Sequence, residues 1–91
     1  MAQLFITLKV MPESPEVDLK KLEGSVKKGI ETFGGRVDRV IQEPVAFGLK
    51  ALMVSFTMDE SKGSTDPLEE TLQALKDVNS VDVTEVRRML G

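Results

Sequence analysis

Two short runs hold the residues best suited to engaging another molecule in this 91-residue chain. One is EPVAFGLKAL, Glu43 to Leu52, where Phe47 precedes Gly48 in what reads as a turn between two strands. Such turns usually carry polar residues with Gly, Asn or Asp. One of only four phenylalanines placed there is therefore either a plug that folds back into the core or a probe aimed at another molecule. The other run is VTEVRRMLG, where Arg87 and Arg88 precede Met89 and Leu90. Arginine beside exposed apolar residues is the composition of an interface anchor; the bland alternative is a pair of ordinary surface arginines. Neither run makes or breaks bonds. What they offer is contact: apolar insertion from the first, a cation with apolar flanks from the second.

Bond chemistry finds little support elsewhere. The chain has no Cys and no His. That excludes disulfides, thiolate or imidazole zinc, and Ser-His or Cys-His nucleophile pairs. The acids of DESKGSTD, Asp59 to Asp66, lack the spacing of a calcium loop and read as a solvated loop. GSVKKG, Gly24 to Gly29, lacks the glycine spacing and the Lys-Ser/Thr ending of a phosphate loop. Glu69 and Glu70 fall in a first helical turn, where the helix dipole favours negative charge. No enzyme constellation survives, and no cofactor is expected.

The elements that must position the two runs follow from hydrophobic periodicity. Leu4 to Val10 alternates with period two, Leu4, Ile6, Leu8 and Val10 facing one way and Phe5, Thr7 and Lys9 the other, which predicts a strand that the prolines of PESP interrupt. From Asp18 to Phe33, apolar residues at Leu22, Val26, Ile30 and Phe33 make a helical stripe, with Asp18 preferred over Ser14 as the cap and Gly34-Gly35 as the stop. Val37 to Ile41 is a weaker strand. Gly48 to Met58 is a stronger one, with Leu52, Val54, Phe56 and Met58 sharing a face. Asp66 as N-cap and Pro67 at the first helical position start a second helix, whose stripe runs Leu68, Leu72, Leu75 and Val78. Val81 to Leu90 reads as a last strand.

Strand, helix, two strands, helix, strand is the order of an α+β, ferredoxin-like βαββαβ fold: a four-stranded antiparallel sheet with both helices on one face. The chain reads as one domain, residues 1–91. The other sheet face, with Phe5, Thr7 and Lys9, is left to water or a partner. This architecture hosts many functions. An RNA-associated protein and a small-ligand regulatory domain both stay open at this point. Against RNA stand a net charge of -3 and the absence of Tyr and Trp for base stacking. MAQLFITLKVMPES lacks a basic leader and a long apolar core, so no signal peptide is expected. No run reaches the ~20 apolar residues of a membrane span. These features predict a cytoplasmic protein, monomeric when free, that contacts neither membrane nor nucleic acid.

The ordered set of motifs resembles one family. EPVAFGLKALMVSFTMDESKGSTDPLEE is similar to the exchange region of elongation factor 1-beta: Pro44, then Phe47-Gly48, the strand Lys50 to Phe56, the loop Asp59 to Lys62, and the helix start Thr65 to Glu70. VDLKKLEGSVKKGI, Val17 to Ile30, resembles the family's first helix. The likeness is to the short archaeal form. It implies a ferredoxin-like fold and an exchange factor that releases GDP from elongation factor 1-alpha so that GTP can reload, without bond chemistry. It implies that Phe47 inserts into a pocket on the partner's nucleotide-binding domain, with Gly48 allowing the tight turn. It aligns Arg88 with a family lysine that approaches the partner's magnesium site, with Arg87 as a second candidate for that task. Here the position is Arg instead of Lys, and the chain runs on through Met89, Leu90 and Gly91.

Overall fold

The computed structural model describes residues 2–89. Its elements are β1 (Gln3–Pro12), α1 (Leu19–Phe33), β2 (Arg36–Pro44), β3 (Lys50–Asp59), α2 (Asp66–Gln73) and β4 (Val78–Met89). The strands form one sheet in the order β2-β3-β1-β4, each pair antiparallel. This is the α+β ferredoxin-like arrangement that the alternation of periods predicts.

The period-two faces become the core. Ile6, Leu8 and Val10 of β1 and Leu52, Val54 and Phe56 of β3 are all 0% exposed. They pack against the α1 stripe of Leu22, Val26 and Ile30 and against Leu68 and Leu72 of α2. Each such side chain, fully buried, stabilises the fold by about 1.5–3 kcal/mol. Outward residues of the central strands such as Phe5, Thr7, Met53 and Ser55 stay half-buried, and Ala51 is fully buried. Across them Thr7 and Ser55 share a hydroxyl hydrogen bond of 3.2 Å.

The first helix begins and ends as its sequence predicts. The Asp18 carboxylate accepts from the backbone N–H groups of Lys20 at 3.0 Å and Lys21 at 3.3 Å, satisfying two of the donors a helix start leaves free. Gly34 closes it in the left-handed region, φ 107°, with its N–H directed at the carbonyls of Ile30 and Glu31.

The second helix differs in three respects. Its N-cap is Thr65, so Pro67 stands at the second helical position, and Asp66 lies inside the first turn. The Thr65 hydroxyl donates to the Glu69 carboxylate at 2.8 Å instead of accepting from the backbone. The helix also ends at Gln73, before its stripe does. Val78 belongs to β4, where it is 5% exposed and pairs with Pro12. The three-residue step from Leu75 to Val78 imitates helical spacing but is made by a turn, in which the Val78 N–H donates to the Leu75 carbonyl at 3.2 Å. Strand pairing with β1 outweighs local periodicity at a β-branched residue.

β2 is longer than its charge-broken pattern predicts, running to Pro44 because β3 offers a partner along its whole length. Among the described residues no helix is long and apolar enough to cross a membrane.

Candidate functional site

Val45 to Leu49 link β2 to β3. The Val45 N–H donates to the Leu49 carbonyl at 2.8 Å and the Leu49 N–H to the Ala46 carbonyl at 3.2 Å, closing a tight turn with Phe47 and Gly48 at its centre. Both have positive φ, 60° for Phe47 and 76° for Gly48. Two left-handed central residues make the type I′ hairpin turn that Asn-Gly or Gly-Gly adopts without strain. Gly48 meets this need, and no atom lies within 4 Å of where its Cβ would stand, so φ alone demands the glycine. Phe47 does not meet it. A bulky L-residue in the left-handed region costs about 1–3 kcal/mol. Phe47 is the one non-glycine with positive φ among the described residues. It is also 93% exposed, so the ring recovers nothing from the core. The plug reading of Phe47 is thereby set aside, and the tight turn rests on two left-handed residues instead of on Gly48 alone.

The second run lies at the other end of the sheet. In register, Arg87 stands opposite Phe5, which stands opposite Thr57, near the far end of β3. The hairpin tip precedes Lys50. Seven residue steps from Lys50 to Thr57 at ~3.3 Å each put the two runs more than about 20 Å apart along the strands. The longest dimension of the molecule is 41 Å. The structure does not bring Phe47 and the arginines into one site.

Strand alternation separates the arginines as well. Arg87 lies on the open face, its guanidinium 5.9 Å from the centre of the Phe5 ring, a cation–π distance. It also pairs with Glu85, two residues away on the same face, and that hydrogen bond holds the guanidinium even more firmly protonated. Arg88 takes the opposite face and pairs with Glu60 at 3.0 Å. Met89 follows on the Arg87 side and is 39% exposed. Leu90 lies outside the described residues.

The loop after β3, read from sequence as merely solvated, is an ordered part of this end. The Asp59 carboxylate accepts from the Ser61 N–H at 2.8 Å and starts a 3-10 turn, Glu60–Lys62. That bond holds the Asp59 carboxyl below the usual carboxylate range. The Ser61 side chain reinforces the effect. Among the described residues no three acidic side chains converge to hold a metal ion. Glu60 is the residue that sequence reasoning missed, since its partner lies 28 positions further on and no local pattern announces it. The strain at Phe47 had a signal: a short link with Gly at the centre of its turn between alternating strands.

Residues 5–89 match the family described as the EF-1 guanine nucleotide exchange domain. A protein of Methanosphaera stadtmanae named elongation factor 1-beta is 44% identical over 90 residues, 99% of this chain and 100% of the relative. Its namesake in Methanococcus vannielii is 42% identical over 86 residues, 94% of this chain and 97% of the relative. Among solved structures, the ACT domain of GTP pyrophosphokinase from Chlorobium tepidum superposes with a TM-score of 0.62 at 11% identity, covering 89% of this chain and 97% of that one. The C-terminal domain of MgtC from Mycobacterium tuberculosis superposes at 0.64 and 12%, covering 96% and 87%. At such identities these two likenesses speak for the fold alone. Family match and relatives agree over nearly the whole length, and the chain belongs to the elongation factor 1-beta family, the guanine nucleotide exchange factors of translation elongation.

Proposed function

We propose that this chain, acting as a single domain over residues 1–91, promotes exchange of GDP for GTP on elongation factor 1-alpha in the cytoplasm. It does so by contact alone. The observation that carries the reading is Phe47: an aromatic ring 93% exposed on a left-handed backbone, with no partner among the described residues that would explain the strain. Backbone strain without internal compensation belongs to sites whose use lies outside the molecule.

An exchange factor needs only to bind the nucleotide-free GTPase better than the nucleotide-bound form. Reciprocity then weakens nucleotide binding by the same factor. GDP is held through magnesium and through amides that grip its phosphates. A cation brought to that place opposes the metal directly, and Arg88 is the residue for this role. Its guanidinium is a planar fork with several donors, so it competes for carboxylate and phosphate oxygens more than it replaces a point charge. Arg87, on the other face, contributes to the contact instead of to the magnesium site. Phe47 fills an apolar pocket on the GTPase and supplies binding energy. The separation of more than about 20 Å means that this pocket is not the magnesium pocket but a second contact on the same partner.

The test is release of a fluorescent GDP analogue from elongation factor 1-alpha of the same organism, with this protein below stoichiometric amounts. Acceleration with turnover is the expected result. No acceleration of a GTPase shown to be active would overturn the proposal.

A further inference from the structure

Resting on the assignment of Arg88 to the magnesium end, we infer that Glu60 is a positioning residue that sets the place of the Arg88 guanidinium before the partner arrives. Arg88 leaves β4 on the side of the sheet where the loop after β3 leads into α2, and Nη2 meets Oε2 of Glu60 at 3.0 Å. β1 lies between the two elements, so the pair bridges the start of the central strand.

Glu60 stands on a backbone tied by two hydrogen bonds, in a loop that also reaches both helices. Its N–H donates to the carbonyl of Ala2 at 3.1 Å, ahead of β1, and its carbonyl accepts from Gly63 at 3.1 Å. Lys62 lies against Gly34, where an added Cβ would come within 2.7 Å of its Cε and Nζ. The last turn of α1 has no basic residue of its own, and Lys62 brings a cation to that negative end. The Ser64 hydroxyl accepts from the Asp66 N–H at 3.0 Å, joining the loop to α2. A carboxylate carried on a backbone held in this way restricts the several rotatable bonds of Arg88, whose side chain is 62% exposed. One guanidinium nitrogen meets Glu60, and among the described residues the other donors of the fork are left for the partner's oxygens. An exposed ion pair adds little to stability, so its effect belongs to the conformation of the arginine and not to the fold.

The experiment measures GDP release against factor concentration for wild type, Glu60→Gln, Arg88→Ala and the double variant. Glu60→Gln is expected to lower the maximal rate about two- to fivefold, the range of an exposed pair. The half-saturating concentration should stay constant, and on the Arg88→Ala background the same change should cost nothing further. The gap between wild type and Glu60→Gln should narrow as salt screens the pair. Release that is unchanged or faster in Glu60→Gln, or an equal fractional loss on the Arg88→Ala background, overturns the positioning role while leaving the exchange assignment intact. Wild-type release by Arg88→Ala removes the assignment of Arg88 itself, and the inference with it.

Discussion

The two ends of the sheet hold their exposed side chains in different ways. At the hairpin tip a single ring is displayed by a strained turn and stays 93% exposed, with nothing among the described residues to steady it. At the β4 end the backbone is ordinary strand, and the arginines are steadied by side chains, Arg87 by Glu85 and Phe5, Arg88 by Glu60. The difference follows from the side chains. A phenyl ring has two rotatable bonds, so fixing the backbone nearly fixes the ring. An arginine has more, so a partner must be placed for its head group. Under the proposed function, the tip supplies binding energy and the other end places charge.

Phe47→Ala tests that contrast most severely. Exchange efficiency should fall by about 2 kcal/mol, ~30-fold, as for an interface hot spot, with the loss in affinity for the GTPase. Thermal unfolding should shift little, since the ring is 93% exposed; a large drop in Tm would mean the ring packs in solution after all.

Arg88→Ala should lower the maximal rate of GDP release about tenfold, ~1.4 kcal/mol, with a smaller effect on complex formation measured by calorimetry. Equal losses in both would make Arg88 a simple contact residue and erase the distinction between the ends.

Phe47→Asn separates strain from function. Asn suits the first central position of a type I′ turn, so the free protein should gain about 1 kcal/mol, or roughly 4–8 °C in Tm for a domain of this size. Exchange should be lost as in Phe47→Ala. A variant that is no more stable would show that the turn is not strained.

Arg87→Ala should have the smallest effect, a slight loss of stability from its cation–π contact with Phe5, read by denaturant unfolding. The maximal exchange rate should stay within about twofold of wild type. A loss as large as that of Arg88→Ala would mean that both faces of β4 meet the magnesium end.

Periodicity carried the architecture because it reports burial directly. Leu52, Val54, Phe56 and Met58 alternate in sequence and lie at 0–1% exposure in the fold. Asp18 and Gly34 could be placed as caps because capping is decided within a few residues. Where pairing with a distant strand competed, local reading failed: Val78 left its helical stripe for β4, and β2 ran on to Pro44 despite its charges.

The sequence by itself determined the order of elements and the residues of the core, and it singled out the two candidate runs, since these depend on residue type and near-neighbour spacing. The resemblance carried by Pro44 to Glu70 added the family. Only the tertiary structure decided that the runs lie at opposite ends of one sheet, that Arg87 and Arg88 face opposite ways, and that Glu60 meets Arg88. Those facts come from strand register and from a loop crossing toward the start of β1. Register is set by the summed fit of whole faces against the core, and no single residue in the chain encodes it.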